Sequence, residues 1–398
     1  MNETFRTQYQ GNVSGLKDVI RLRDKISPET FAREQEKIFK KSWLMIGHVS
    51  DLPREGSYFI RELQVVNTSL IVMRGRDGRV RSFHNICRHR GNKLIRSGEG
   101  CKTTITCGFH GWTWSNTGEL LGVTDEGQFH NLDKGKLGLL EIATETWNDF
   151  IFVNFDPQPA QSLTQWLGEL AQGYEGYFEN QVKTTSYKVH VNCNWNLAVN
   201  SFTEGYHTAY IHRNTAPDYQ GGKTNPQRHR PFMQLLERHA RYSAPANPDH
   251  KLSAAEAVAW TYGPRMLPAA DFDYTGMAPG LNPGRAVHWL FDVIEWFPNV
   301  LILPGKHYHM ELEFWPISAS ETELIASAYT YAPKTYAERI SQEFFRTRFR
   351  EIVREDMNTL EAQQAAISTG VMDEVFLSQQ ELVLAHHYRV SEQMLGAS

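Results

Sequence analysis

The chain has 398 residues, a formal net charge of −4, and contents of 41% hydrophobic and 12% aromatic residues. This is the composition of an ordinary globular protein with room for two domains, and its slight negative charge excludes the broad basic surface that nucleic-acid binding requires. The first residues are polar and charged, and no apolar run approaches the roughly eighteen residues of a membrane span. We therefore expect a cytoplasmic protein with no membrane partner.

The first part of the chain predicts a helix followed by a small β domain. Pro28 suits the first turn of a helix, and the residues after it repeat apolar positions at helical spacing. Farther on, short apolar runs are separated by turn signals such as Arg76-Asp77-Gly78 and Asn116-Thr117-Gly118, which are typical of hairpins. We predict that the β domain covers residues 42–157.

The second part predicts a mixed α and β architecture. Residues 213–285 are rich in Pro, Gly and charged residues and predict irregular structure. Thr335 to about Thr369 predicts one long helix. The strands predicted between these two stretches, at the spacing of an antiparallel sheet, are 286–296, 300–303, 307–315 and 323–331.

Two Cys-and-His pairs in the β domain predict a metal centre. They are C-x-H at Cys87 and His89 and C-x-x-H at Cys107 and His110, and two thiolates with two imidazoles are the ligands of a Rieske [2Fe–2S] cluster. The same ligands also suit a structural zinc ribbon, which is the alternative. The two remaining cysteines are expected to be free thiols, although a disulfide between them stays open; they are Cys101 and Cys193.

A second metal centre is predicted after residue 199. On a helix, Asn200 and Glu204 fall within about 60° of His207, so these three side chains share one face. His212 points about 140° away from His207, so both imidazoles can reach one metal only if the helix ends or bends between them. The alternative is two unrelated histidines on an exposed helix.

The long helix offers a third ligand. Two His and one carboxylate form the facial triad of non-haem Fe(II) oxygenases, which leaves metal positions open for dioxygen. Asp356 lies inside the apolar stripe of this helix, whereas Glu355 and Glu361 fall towards its polar flanks. A carboxylate on a buried face is costly unless it is paired or bound to metal, so Asp356 is the predicted ligand, with a capped or ion-paired aspartate as the alternative. The stripe consists of Phe345, Phe349, Ile352 and Leu360.

Taken together, the motifs C-R-H-R-G, C-G-F-H-G-W and N-x3-E-x2-H-x4-H, with Asp356 after them, resemble those of the catalytic α subunit of Rieske non-haem iron oxygenases from end to end. The resemblance implies an α+β fold in which a β-rich Rieske domain, residues 42–157, is inserted near the amino terminus of a helix-grip catalytic domain, residues 1–41 and 158–398. It also implies one [2Fe–2S] cluster and one mononuclear Fe(II) per chain.

The resemblance further implies how electrons move. Family members form head-to-tail rings of three chains, in some cases with a separate β subunit, and receive electrons from NAD(P)H through a reductase or ferredoxin. Glu204 occupies the position of the carboxylate that links His207 to His110 of the next chain, where most of the family has Asp. Asn200 is a second candidate catalytic residue, as a neighbour of the iron or as an amide packed inside the helix.

The substrate is the least defined part of the prediction. The segments 287–297 and 300–303 are apolar and aromatic, which fits either a pocket for a ring or an ordinary sheet core. His307 and His309 share one strand face and could contact a polar substrate group or face solvent. We predict O2-dependent hydroxylation of an apolar aromatic or polycyclic compound in aromatic hydrocarbon catabolism. The alternatives are a monooxygenase that demethylates or cleaves a small amine or ether, such as a quaternary ammonium compound, and a Rieske electron carrier.

Overall fold

The computed structural model describes residues 8–216, 218–223, 231–261 and 274–396. The chain divides into two compact units, residues 35–166 and residues 1–34 with 167–398. The predicted Rieske bounds, 42–157, lie inside the first of these units. Within the described residues, no helix is both long and apolar enough to cross a membrane.

The described helices are, in chain order, α1 (Pro28–Glu34), α2 (Leu163–Leu167), α3 (Trp195–Ser201), α4 (Thr208–Ile211), α5 (Ala254–Trp260), α6 (Tyr336–Ile367) and α7 (Leu382–Leu395). The described strands are β1 (Gln8–Gln10), β2 (Val19–Arg21), β3 (Leu44–His48), β4 (Ser57–Leu63), β5 (Thr68–Arg74), β6 (Val80–His84), β7 (Glu99–Cys101), β8 (Thr104–Thr106), β9 (Thr113–Ser115), β10 (Leu120–Gly122), β11 (Glu141–Trp147), β12 (Phe150–Asn154), β13 (Gln181–Val191), β14 (Phe232–Leu235), β15 (Ala240–Pro245), β16 (Trp289–Trp296), β17 (Val300–Pro304), β18 (Tyr308–Ser318), β19 (Glu321–Tyr331) and β20 (Glu374–Phe376).

The smaller unit contains a seven-stranded antiparallel sheet in the order β3-β12-β11-β6-β5-β4-β7 and a three-stranded sheet in the order β10-β9-β8. Both predicted hairpins are confirmed, because β5 pairs with β6 and β9 pairs with β10. Gly78 and Gly118 adopt φ values of 80° and 89° in these turns, a conformation that only glycine adopts readily. The two metal-site motifs follow β6 and β8.

The larger unit contains an eight-stranded sheet in the order β1-β14-β15-β16-β17-β18-β19-β13. Its strand pairs are antiparallel except for β1 with β14, which are parallel. Helix α6 packs against α3, α5 and β13, and a capping box between Thr335 and Glu338 fixes its first turn. The long helix that the sequence predicts is confirmed, and Asp356 lies on its buried side.

The prediction of irregular structure over 213–285 is wrong for part of the stretch. Two strands of the large sheet, β14 and β15, and helix α5 lie within it. Strand β15 was not predicted because it carries the charged Arg241. In the fold this side chain is buried, and its guanidinium donates hydrogen bonds to Tyr174 Oη, at 2.9 Å, and to the Gly280 carbonyl. The sequence shows only a charged residue at this position, whereas the fold supplies hydrogen-bond acceptors for it inside the sheet.

Candidate metal centres and active site

The two cysteine loops of the smaller unit have the same backbone hydrogen bonds. Cys87 N–H donates to the Asn92 carbonyl and Cys107 N–H to the Trp112 carbonyl, each at 2.8 Å. In both loops the glycine four residues after the cysteine donates back to the cysteine carbonyl, at 3.0 Å. The C-x-H and C-x-x-H spacings therefore sit on two matching turns.

Within these loops the thiols and the imidazoles separate into two pairs. Cys87 and Cys107 are buried, and Sγ of Cys107 accepts from the Phe109 N–H at 3.5 Å. The rings of His89 and His110 are only partly buried and lie 4.7 Å apart. The indole of Trp112 stacks on His89, with 4.8 Å between the ring centroids and 6° between the planes. Two sulfurs thus lie inside and two imidazoles outside.

This separation suits a two-iron cluster better than a single zinc ion. A tetrahedral zinc site needs four ligand atoms around one point. Among the described residues, the group whose ligand atoms all lie within 4.8 Å of one another is His207, His212 and Asp356 in the larger unit, and it includes neither cysteine. A [2Fe–2S] cluster takes its two thiolates on one iron and its two imidazoles on the other, as the pairing here permits.

The second centre begins where helix α3 ends. A continuous helix through His207 would place Asn200 and Glu204 on its face, but α3 stops at Ser201 and that expectation is wrong. The break is stabilised locally, since the Thr203 hydroxyl donates to the Asn200 carbonyl at 3.0 Å and the Glu204 carboxylate accepts from the His207 N–H at 3.3 Å. One short turn, α4, then separates His207 from His212.

The structure brings His207, His212 and Asp356 together. One ligand atom from each lies within 4.8 Å of the other two. Nε2 of His207 and Nε2 of His212 are 3.6 and 3.4 Å from the same oxygen, Oδ1 of Asp356. Both imidazoles reach one point because the helix is broken before His207, so that the two histidines flank a single turn instead of continuing one helix.

Asp356 is the strongest sign that this group holds a cation. Its side chain is 2% exposed, and neither carboxylate oxygen has a hydrogen-bond partner in the described structure. Burial raises the pKa of Asp356 to about 7. A buried carboxylate without partners is costly, and a metal ion held with the two imidazoles would remove that cost. The residues present therefore fit a mononuclear metal.

Each imidazole is held on its other nitrogen by a carboxylate. Nδ1 of His207 is hydrogen-bonded to Glu204, and Nδ1 of His212 donates to Oε2 of Glu355 at 2.9 Å. The Thr215 hydroxyl donates to the same oxygen of Glu355 at 2.5 Å. Such partners fix which nitrogen is left to face a metal. The sequence did not predict the contact between Glu355 and His212. The only signal for it was the position of Glu355 next to Asp356.

These carboxylates also set the charge states of the rings. Burial opposes protonation of His207, yet the carboxylates of Glu204 and Asp356 raise its pKa to about 9. Burial and the neighbouring charge on His207 lower the pKa of His212 to about 4. Without metal, the His207 ring therefore carries one proton more than a neutral imidazole, and that proton must leave when both rings bind a metal ion.

Comparison with known families agrees with this geometry. Residues 178–397 match the model of the "Ring hydroxylating alpha subunit (catalytic domain)" family, and residues 42–134 match that of the "Rieske [2Fe-2S] domain". The chain belongs to the ring-hydroxylating α subunit family. Its smaller unit contains a Rieske domain, and its larger unit contains the family's catalytic domain.

Relatives within the ring-hydroxylating α subunit family include enzymes with different substrates. The carnitine monooxygenase oxygenase subunit of Escherichia coli K12 is 33% identical over 185 residues, which are 46% of this chain and 49% of the relative. The large oxygenase component of the naphthalene 1,2-dioxygenase system of Pseudomonas aeruginosa is 34% identical over 192 residues, 46% of this chain and 42% of the relative. The chain thus matches about half the length of these relatives.

Solved structures share the fold along nearly the whole chain. A quaternary ammonium Rieske monooxygenase superposes with a TM-score of 0.75 at 21% identity, covering 94% of this chain and 95% of that one. Naphthalene 1,2-dioxygenase from Rhodococcus sp. superposes with a TM-score of 0.72 at 19% identity, covering 96% and 95%. At such identities the likeness shows the ring-hydroxylating α subunit fold alone.

Two cavities lie against residues of the candidate metal site, which consists of His207, His212 and Asp356. The first has a volume of about 100 Å³ and a largely apolar lining. It is of the order of the roughly 150 Å³ cavity that holds one benzene ring. The described residues that line it include no Lys or Arg. Its apolar side chains include Phe202, Phe291, Val293, Leu303, Met310 and Phe349.

The second cavity, of about 570 Å³, lies against His207 and Asp356 and is also lined by Glu204. Asn200 lines this cavity together with Tyr388 and is 3% exposed. Among the described lining residues, Asn200 does not reach the apolar cavity. The structure thus places Glu204 on both cavities and Asn200 on the second.

Part of the predicted substrate segment lines the apolar cavity, whereas the two histidines that were predicted as possible polar contacts do not line it. Leu290, Phe291 and Val293 of the segment 287–297 face it, as does Leu303. His307 and His309 do not belong to its described lining. His309 is buried, and its ring hydrogen-bonds to Gln181 and Glu311, so the expectation of a solvated histidine face is wrong for this residue.

Proposed function

We propose that this chain is the terminal oxygenase component of a Rieske oxygenase. In this role it uses O2 and electrons from NAD(P)H to hydroxylate an apolar aromatic or polycyclic substrate. The observation that carries the proposal is a buried carboxylate without hydrogen-bond partners, Asp356, that faces two imidazoles at the wall of an apolar cavity. None of the four cysteines forms a disulfide, which is compatible with work in the reducing cytosol.

The residues would divide the chemistry between two centres. Cys87, His89, Cys107 and His110 would hold the cluster, and the mononuclear iron would lie between the other two imidazoles and Asp356. When bound, the cluster supplies electrons singly and the iron supplies open positions for dioxygen. The carboxylates of Glu204 and Glu355 hold both imidazoles by Nδ1 and leave Nε2 of each ring for a metal, and the cavity beside them has a largely apolar lining.

We infer that Glu204 carries electrons between chains, as part of a head-to-tail homotrimer. Glu204 is hydrogen-bonded to His207 and lines the second cavity together with the exposed Phe376, and the exposed Tyr206 lies two residues after Glu204 in the chain. On the Rieske unit, Phe109 is 56% exposed next to His110. Burying these apolar surfaces against each other between copies would bring His110 of one chain to Glu204 of the next. A separate β subunit and a ferredoxin or reductase would complete the system.

The lining of the first cavity supports a neutral, apolar substrate. A carboxylate or phosphate on the substrate requires a cation or several donors, and the described lining includes no Lys or Arg. Aromatic rings of Phe202, Phe291 and Phe349 offer faces and edges for stacking with a substrate ring. Hydroxylation in the catabolism of an aromatic hydrocarbon is therefore the function that the cavity supports best.

A second candidate is oxidation of a quaternary ammonium compound. The lining also contains Tyr219 and Tyr242, so that five aromatic side chains border the cavity, and such rings attract a cation. Relatives include a carnitine monooxygenase oxygenase subunit. Because the described lining includes no Lys or Arg, an ammonium substrate would be favoured if it carries no carboxylate of its own.

The test is iron analysis followed by turnover under 18O2 with a generic flavin reductase. Three irons per chain are expected for an oxygenase, whereas two would favour an electron carrier. One or two labelled oxygen atoms in a polycyclic or aromatic product would support hydroxylation. Release of formaldehyde from a methylated amine would instead support oxidation of a quaternary ammonium compound. A loaded enzyme that labels neither class of compound would overturn the proposal.

A further inference from the structure

We propose that Asp218, His250, Glu256 and Tyr219 form a proton path from the protein surface to the apolar cavity. The proposal rests on the proposed oxygenase function, which needs protons as well as electrons. Incorporating O2 into an organic substrate with two electrons consumes two protons, whether both oxygen atoms enter the product or one leaves as water. The electrons come from the reductase, and the protons must cross an apolar lining.

The cavity end of the path is Tyr219. Its side chain is 4% exposed and lines the cavity together with His207, His212 and Asp356. The Tyr219 hydroxyl donates to Oε1 of Glu256 at 2.5 Å, so a buried hydroxyl of the cavity wall is bonded directly to a carboxylate. A charge-assisted bond of this kind is short and strong.

Glu256 connects this hydroxyl to the next group. Its side chain is buried in the first turn of α5, and its other oxygen, Oε2, accepts from the Ser253 N–H at 2.8 Å. Burial opposes ionisation of Glu256, but the hydrogen bonds from Tyr219 and Ser253 lower its pKa below the ordinary range. Arg348 adds a positive charge 3.9 Å from Oε1. At neutral pH the carboxylate is therefore ionised, and it holds a proton only transiently as one passes along the path.

His250 and Asp218 carry the path to the surface. Nδ1 of His250 is hydrogen-bonded to Oδ1 of Asp218 at 2.5 Å, and Nε2 of the same ring lies 3.5 Å from Oε2 of Glu256. The side chain of His250 is 8% exposed and that of Asp218 is 50% exposed. From Asp218 to Tyr219 the exposure of the side chains therefore falls from solvent to cavity.

The hydrogen bonds leave room for one mobile proton. In the relay the ring proton of His250 lies on Nε2, towards the ionised Glu256 carboxylate, and the lone pair of Nδ1 faces Asp218. Asp218, once protonated from solvent, donates to Nδ1 as the ring releases its Nε2 proton to Oε2 of Glu256. The Glu256 carboxyl then turns and gives this proton to the oxygen of Tyr219 as the hydroxyl proton of the tyrosine leaves for the cavity. A turn of the His250 ring restores the proton on Nε2, so one proton enters for each that leaves and every group returns to its starting charge.

A test compares Glu256→Gln with wild type in the fully loaded enzyme. The amide keeps the shape but does not relay a proton, so product formed per O2 consumed should fall by about tenfold or more. The missing O2 should appear as H2O2, and the solvent deuterium isotope effect on kcat should change. Tyr219→Phe should behave in the same way, which covers the case in which the first variant does not fold.

The matched control is Glu311→Gln. Glu311 is also a buried carboxylate paired with a histidine, His309, at 3.1 Å, but it does not belong to the described cavity lining. It should keep wild-type coupling. Wild-type coupling and isotope effect in both Glu256→Gln and Tyr219→Phe, with three irons per chain, would overturn the path alone. A wild type that oxygenates nothing would overturn the proposed function and the path with it.

Discussion

His212 donates its Nδ1 proton to Glu355 across 2.9 Å, and Oδ1 of the next residue, Asp356, lies 3.4 Å from Nε2 of the same ring. Two consecutive residues of α6 thus approach one imidazole from both of its nitrogens. Glu355 is anchored in turn by the Thr215 hydroxyl at 2.5 Å. The orientation of the imidazole and the position of the candidate ligand carboxylate are therefore set by one turn of one helix.

Removing Glu355 should weaken metal binding at the mononuclear site. Glu355→Ala leaves the Nδ1 proton of His212 without its acceptor, so the ring is free to turn and to change tautomer. Loss of such a partner lowers metal affinity by about 10- to 100-fold. The measurement is a titration of the metal-depleted protein with Fe²⁺ or Co²⁺ in competition with a chelator.

The control for this experiment is Glu361→Ala on the same helix. Glu361 accepts hydrogen bonds from the backbone and side chain of Asn192, both at 3.0 Å, and does not belong to the described lining of either cavity at the site. It should keep wild-type affinity. Equal affinities in the two variants would show that Glu355 does not position the ring.

Asp356→Asn should have opposite effects on stability with and without metal. At pH 8, above the value of about 7 to which burial raises its pKa, the aspartate of the metal-free protein is a buried charge without a hydrogen-bond partner, and the protonated His207 ring 3.6 Å away offsets its burial only in part. Replacing it with a neutral amide should raise the free energy of unfolding by about 1–3 kcal/mol. With Fe²⁺ or Co²⁺ added, wild type should gain stability and the variant should not. Urea unfolding measures both, and a variant that is less stable in both states would contradict a metal-ligand role.

Exchanging both candidate imidazole ligands of the cluster should lower its reduction potential. His89→Cys with His110→Cys would replace the two imidazoles by thiolates, which carry negative charge. Rieske clusters lie at least about 250 mV above all-cysteine clusters of the plant type. A redox titration followed by visible absorption should show a drop of this order. A colourless wild-type protein that contains zinc would contradict the cluster assignment itself.

The buried His386 should make stability depend on pH. Burial and the charge of Arg389, whose guanidinium donates to Nδ1 at 2.6 Å, lower the pKa of His386 to about 3. Between about pH 6.5 and 3 the unfolded chain holds a proton at this position and the folded chain does not, so stability falls as the pH is lowered. The loss approaches about 1.4 kcal/mol per pH unit.

His386→Gln should remove this contribution, so that the free energy of unfolding falls less steeply from pH 6.5 to 4.5 than in wild type. Urea unfolding at several pH values measures the slope. His190→Gln, at an exposed position on β13, is the control and should leave the slope as in wild type. The same slope in His386→Gln and wild type would contradict a neutral buried ring.

The sequence alone determined the features that depend on neighbours along the chain. Turn residues at Gly78 and Gly118 specify hairpins, and the capping box at Thr335 with an apolar stripe specifies the long helix. The two Cys-and-His motifs and the position of Asp356 within a buried stripe are equally local signals. From these, the metal chemistry and the family resemblance followed before any fold was known.

Only the tertiary structure decided how distant groups meet. Gly205, in the break before His207, lies so close to strand β15 that a Cβ there would collide with the hydroxyl of Tyr242. Strand β15 is possible because Arg241 finds its partners far along the chain. Glu355, on a polar flank in sequence, contacts His212, which lies 143 positions earlier in the chain. Periodicity reports which side of an element is buried, but the partner of a buried polar atom is fixed only when separate elements pack together.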